Sequence, residues 1–150
     1  MERRMINWPK ISVDTDKNFD MCFACGDKNP IGLKLKFRRE DDGVRAEFTP
    51  GEVHQGWKEV VHGGIIVSIL DEAMSYAALY TGVSTLTAKM QTRFKRPARI
   101  GEPLIVTARI TKHTRRLVET EAEVHLKDST PIADSTATMF TIRPQEPPSG

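Results

Sequence analysis

The residues that first invite chemistry are Asp71 and Glu72, two carboxylates inside the run Gly63 to Tyr80, which is otherwise built from Ile, Leu, Val, Ala, Met and small polar residues. A carboxylate taken out of water without partners is costly, so at least one of the pair is expected to face a wet cavity or an interface. Partial burial adjusts the pKa of such a group, which can then activate a water molecule or attack an acyl carbon itself. The sequence leaves both routes open. The structural alternative for Asp71 is a salt bridge or a side chain that reaches solvent through a gap. Glu72 points about a quarter turn further round the helix and is expected to be the exposed member.

Upstream of Asp71 stand His62, Gly63 and Gly64, where the helix is expected to begin. Backbone N–H groups in a first helical turn have no intrahelical acceptor. Glycine there lets a carbonyl oxygen approach closely, and the helix dipole favours negative charge developing on it. Gly63 and Gly64 are therefore candidates for an oxyanion site, with close packing or a tight turn as the alternative. His62 is a secondary candidate, since a lone histidine beside a helix start is more often structural.

Lys95, Arg96 and Arg99 cluster around Pro97, and Lys112, Arg115 and Arg116 surround a later turn. Both groups suit phosphates, and both read equally as ordinary charged turns. Only Phe94 adds an aromatic to the first group, and its alternation assigns it to a core face, so binding of single-stranded nucleic acid has little support. Cys22 and Cys25, the two cysteines, have metal-ligand spacing, yet zinc normally takes four ligands and there is no second CxxC. Histidines or a second subunit would have to complete such a site. Packing or a redox-sensitive thiol pair is the expectation, and no metal is assigned.

The elements that must position these residues follow from periodicity. Leu33, Leu35 and Phe37 alternate with Lys34, Lys36 and Arg38, and after Asp41 to Gly43 the alternation resumes at Val44, Ala46 and Phe48, predicting two strands and a turn. Residues 50–62 are irregular. The helix over Gly63 to about Tyr80 is apolar on nearly every face and must be wrapped. Alternation through Leu86 to Phe94, Leu104 to Ile110, Val118 to Val124 and Ile132 to Ile142 supplies the wrapping, with turn signals between. The fold class is α+β: an antiparallel sheet of five or six strands around one long central helix. Residues 1–20 read as an irregular arm, 21–143 as one domain, and 144–150 as a mobile tail with three prolines.

Composition restricts the class. The 150 residues fit one domain, and 28% charged with 39% hydrophobic residues describes an ordinary globular chain. A net charge of +2, from 22 basic and 20 acidic residues, gives no overall excess that would argue for nucleic-acid binding. No secretory leader or membrane-spanning run is evident, so a cytoplasmic protein with reduced thiols is expected.

HGG, six residues, then Asp at the head of a small-residue helix resembles the hotdog-fold acyl-CoA thioesterases typified by the phenylacetic-acid-pathway (PaaI-like) enzyme. The segments CFACGDKNPIGLKLKF, HQGWKEVVHGG and TRFKRPARIGEPLIVTARI are similar to segments of the same family, so the resemblance covers about residues 20–142. It implies a hotdog fold, homodimers that pair into tetramers, and hydrolysis of acyl-CoA thioesters at sites formed between two subunits, with coenzyme A as part of the substrate and no cofactor. By position, Asp71 corresponds to the family's nucleophile or general base and Gly63 to the backbone donor that polarises the thioester carbonyl. Thr87 lies where relatives carry a hydroxyl that orients the attacking water. Gly56 stands where certain members have Asn, with His54 and Gln55 nearby instead. His54, Gln55, Gly64, Glu72, Lys95, Arg96 and Arg99 are the residues expected to contact substrate.

The leading expectation is therefore hydrolysis of a medium-chain or aromatic acyl-CoA. A binding protein of the same fold without turnover is one rival. A hydratase or dehydratase is the other, and it would need His54 or His62 beside a carboxylate.

Overall fold

The computed structural model describes residues 16–142. Six strands, β1 (Arg38–Glu40), β2 (Gly43–Phe48), β3 (Ser84–Phe94), β4 (Leu104–His113), β5 (Leu117–Leu126) and β6 (Pro131–Ile142), accompany one long helix, α1 (Gly63–Leu79). All neighbouring strands are antiparallel, in the order β1-β2-β4-β5-β6-β3. The chain thus leaves β2 near one edge and re-enters at the other edge as β3, and α1 makes the crossing. Four strand spacings of about 4.8 Å come to about 19 Å, and a helix of this length covers about 26 Å, enough to span the sheet.

Why α1 lies on the sheet is plain from its side chains. Ile66, Ile69, Leu70, Ala73, Met74, Ala77 and Ala78 are buried, and they meet the inward alternation of Val44, Ala46, Leu104, Val106, Ala108, Val118, Val124 and Met139. Alanine at three of these helical positions lets the helix sit close to the strands. The opposite stripe, including Ser68, Asp71, Glu72, Ser75 and Leu79, is only half-buried.

Two sequence expectations need correction. Leu33 and Leu35 are buried, as their alternation requires, but they do not belong to a strand of the sheet; β1 is limited to Arg38–Glu40. Lys34 has φ 56, which breaks the pleat, and the N–H groups of Leu33 and Leu35 donate to Phe23 O at 2.8 Å and Ala24 O at 2.9 Å. Residues 33–35 are thus tied to the Cys22–Cys25 loop. Phe94, placed on a core face by alternation, is 57% exposed. It stands on the helix side of the sheet, against Gly63, but at the last residue of an edge strand where nothing further covers it among the described residues. Of the expected arm, residues 1–15 lie outside the described residues, as does the tail from 144; residues 16–20 are irregular.

Candidate active site

The start of α1 is built by its own side chains. His62 is the N-cap in extended conformation, and its Nδ1 accepts the Gly64 N–H at 2.8 Å. That fixes the role of His62 as a cap and removes Gly64 from the oxyanion pair, because its N–H already has an acceptor. The Gly63 N–H has no acceptor among the described residues, as the first turn of a helix dictates. A Cβ at Gly63 would meet only the Phe94 ring, at 3.6 Å, an ordinary contact, and its φ is not in the left-handed region. Neither backbone nor packing within this chain demands glycine there.

Two turns on, the Thr87 hydroxyl donates to Asp71 Oδ1 at 2.6 Å. Both side chains are half-buried. Thr87 comes from β3, and the β3–β6 register shifts between Thr87 and Lys89, so Thr87 sits directly before a bulge, a feature that re-aims side chains at sheet edges. One carboxylate oxygen of Asp71 is thereby held by a short hydrogen bond from the strand.

Glu72 differs from expectation. It is half-buried rather than exposed, because the Cys22–Cys25 loop covers it: Cys22 Sγ lies 3.6 Å from Glu72 Oε1. Burial is the main reason its carboxyl is pushed above the usual range; the thiols partly offset this, and Asp71 adds to it. Glu72 also lines an apolar cavity of about 220 Å³ with Phe19, Tyr76, Leu79, Val83 and Leu86. The cavity is walled by the same two elements as the Asp71–Thr87 pair, α1 through Glu72, Ser75 and Leu79 and β3 through Ser84, Thr85 and Leu86, although neither Asp71 nor Thr87 lines it.

The remaining expected residues divide. His54 and Gln55 are spent on the 50–62 loop: His54 Nδ1 accepts from Gly51 N at 2.8 Å, and the Gln55 amide donates to Glu52 O and accepts from Glu59 N at 2.6 Å. His54 also packs edge-on against Phe48, and burial holds its pKa below the ordinary value. Lys95 pairs with Asp134 at 2.9 Å, while Arg96 and Arg99 are exposed and line a separate hollow of about 350 Å³. That hollow flanks the helix start, because Val61 N donates to Ala98 O and Val60 bridges to Arg99.

A larger hollow of about 520 Å³ lies on the face of the sheet opposite α1, lined by Arg45, Thr107, Arg109 and Glu121. Ion pairs run through it, Arg109 with Glu121 at 2.6 Å and Asp42 at 3.6 Å and Arg45 with Glu40 at 3.6 Å, although the Arg45 Nε–H has no hydrogen-bond partner among the described residues.

Sequence reasoning missed the contact between the cysteine loop and Glu72, and the placement of Phe94 over Gly63. Glu72 and Tyr76, four residues apart, share a helical face, but nothing local signals which loop covers that face.

A model of the thioesterase superfamily matches residues 58–133. Among curated proteins, the chain is similar to acyl-coenzyme A thioesterase THEM4 of Xenopus laevis, 25% identical over 116 residues, covering 76% of this chain and 52% of that protein. It spans about half the length of the curated relative it matches. Solved structures with this fold include the PaaI protein of E. coli, from the phenylacetic acid degradation operon, with a TM-score of 0.68 at 20% identity over 72% of this chain and 83% of that one. A hypothetical thioesterase from Streptococcus pneumoniae TIGR4, solved with coenzyme A, has a TM-score of 0.69 at 13% identity over 75% and 88%.

Proposed function

Because the chain belongs to the thioesterase superfamily and has the hotdog architecture, we propose that it hydrolyses acyl-CoA thioesters, with a medium-chain or aromatic acyl group, to the free acid and CoA. The observation that carries this reading is the 2.6 Å bond from Thr87 to Asp71, with an apolar cavity on one side. In the proposed reaction the free oxygen of Asp71 takes a proton from water as the water oxygen bonds to the thioester carbon. The carbonyl electrons move onto oxygen, where a Gly63 N–H stabilises them. The tetrahedral species collapses, the C–S bond breaks, and the CoA sulfur leaves with the proton returned from Asp71. Thr87 holds the carboxylate and can accept a hydrogen bond from the same water. Hydrolysis needs no cofactor.

The two groups do not belong to one site within one copy. Asp71 is eight residues beyond Gly63 on the same helix, about 12 Å along its axis, whereas each must come within about 3 Å of groups on a single carbonyl or its water. A homodimer resolves this if Gly63 of one copy faces Asp71 of the other. Support for such a partner comes from β3, an eleven-residue edge strand hydrogen-bonded on one side only among the described residues, and from the exposed aromatic side chains of Trp57, 87% exposed, and Phe94. In this reading Arg96 and Arg99, exposed at a hollow of about 350 Å³, take CoA phosphates, and the cavity of about 220 Å³, below the range of about 300–1,000 Å³ for larger ligands, takes a ring or medium chain. A dehydratase would have to work through Nε2 of His54 or His62, since both commit Nδ1 to backbone N–H groups, and a change in unsaturation without thiol release would mark it.

The test is thiol release across acyl-CoAs from short to long and aromatic. Asp71→Asn is expected to lower kcat by about 10²–10⁴ with the fold intact, and Gly63→Ala, which keeps the N–H but sets a methyl group beside the approaching carbonyl, is expected to lower it by at least about tenfold. Mixing the two variants after dissociation and reassociation should restore about a quarter of wild-type activity, because half the dimers are mixed and each carries one intact site. Tight acyl-CoA binding with no thiol release from the wild type would defeat the hydrolase reading. Failure of the mixture to recover would defeat the shared site.

A further inference from the structure

The proposed hydrolysis leaves Cys22 and Cys25 without a task, yet the fold gathers them with care. Gly26 is required: a Cβ there would lie 2.3 Å from Asp20 O and 2.6 Å from Cys22 N. Its N–H closes the turn onto Cys22 O at 2.9 Å, and the bonds from Leu33 and Leu35 clamp residues 23–24 from the other side. The loop therefore presents both sulfurs to α1 before any ligand arrives. There, Cys22 Sγ, Cys25 Sγ and a Glu72 carboxylate oxygen all lie within 4.8 Å of one another.

The sulfur-to-carboxylate distance is that of a tetrahedral metal site. With Zn–S of about 2.3 Å and Zn–O of about 2.1 Å, sulfur and oxygen ligands at the tetrahedral angle stand about 3.6 Å apart. The Cys22 Sγ to Glu72 Oε1 distance is 3.6 Å. The Tyr76 hydroxyl donates to Cys25 Sγ at 3.3 Å, the kind of outer hydrogen bond that orients a ligating thiolate.

We propose that Cys22, Cys25 and Glu72 bind one zinc ion, with its fourth position turned toward the apolar cavity that Cys22, Glu72 and Tyr76 help to line. Two thiolates select a soft or borderline cation over calcium or magnesium, and three protein ligands leave one position for water or another ligand. Such an ion pins the loop that contains residues 22–25 onto α1, one residue from Asp71. The site borders the cavity that the hydrolase reading gives to the acyl group, but none of its donors takes part in the bond-making and bond-breaking steps given to Asp71, Thr87 and Gly63.

Full-length reduced protein, stripped with a chelator, is titrated with Co²⁺ and then Zn²⁺. The expected result is one Co²⁺ per chain with a thiolate-to-cobalt charge-transfer band, displaced by one equivalent of Zn²⁺, and both thiols reacting at least about tenfold more slowly with a disulfide reagent once zinc is bound. C22S and C25S should abolish the band. E72Q should keep sulfur ligation and bind at least about tenfold more weakly. Circular dichroism of each metal-free variant separates lost binding from lost fold. No band in the folded wild type, equal binding by the double variant C22S/C25S, or thiol reactivity unchanged by equimolar zinc would each overturn the site. Thioester turnover enters none of these readouts, so either proposal can fail without the other.

Discussion

Replacing Thr87 with Val isolates the contact on which the candidate site depends. Valine has the shape of threonine and suits a strand, so β3 and its bulge should persist, while the donor 2.6 Å from Asp71 Oδ1 is lost. A hydrogen bond to a charged group contributes about 1.5–3 kcal/mol, which at 1.36 kcal/mol per tenfold predicts a fall in kcat of about 10- to 150-fold with KM little changed. The same loss leaves a half-buried carboxylate short of one partner. About 2 kcal/mol of stability corresponds to a decrease in Tm of about 4–8 °C for a chain of this size. Steady-state thiol release from a saturating acyl-CoA, measured well below the lowered Tm, reads the first number, and calorimetry the second. Thr87→Ser restores the hydroxyl and should recover activity to within about threefold. A folded T87V with kcat within twofold of wild type, or a T87S as impaired as T87V, would refute the reasoning that this hydroxyl prepares Asp71.

Three further outcomes follow from single contacts. His62→Ala removes the N-cap acceptor of Gly64 and should cost about 0.5–2 kcal/mol in denaturant melts; His62→Asn, a good cap, should recover most of it. Gly26→Ala drives a Cβ to 2.3 Å from backbone at Asp20, so the cysteine loop must open, seen as lost thiol protection and a Tm lowered by more than any surface substitution lowers it. Burial depresses the His54 pKa below its ordinary 6.5, so the folded state disfavours the proton that the unfolded chain takes up. The stability His54 contributes is therefore complete above pH 6.5 and lost as pH falls from there toward its folded value. Urea midpoints from pH 7.5 to 5 should decline, and His54→Asn should flatten that slope.

Much of this was legible in residue order because it depends on local pattern. Period-two alternation in Leu104–Ile110, Val118–Val124 and Ile132–Ile142, and a helix beginning at HGG, are consequences of which side chains must leave water. Asp71 stood out for the same reason: its charge interrupts an apolar helix. The positions of Gly63 and Thr87 came from resemblance; in the structure the Gly63 N–H has no acceptor among the described residues and Thr87 bonds to Asp71.

What only tertiary structure decided is which surfaces cover which. Leu33 and Leu35 alternate like a strand, yet a residue of positive φ between them turns their hydrogen bonds to a loop ten residues upstream. Phe94 keeps the predicted side of β3 but lies exposed, because burial depends on where the neighbouring helix starts. Glu72 was expected in solvent and is instead closed over by two cysteines fifty residues away in the chain. Each of these contacts joins segments whose separation carries no periodic signal, since a side chain's own pattern specifies the face it occupies and only the folded neighbour specifies what that face meets.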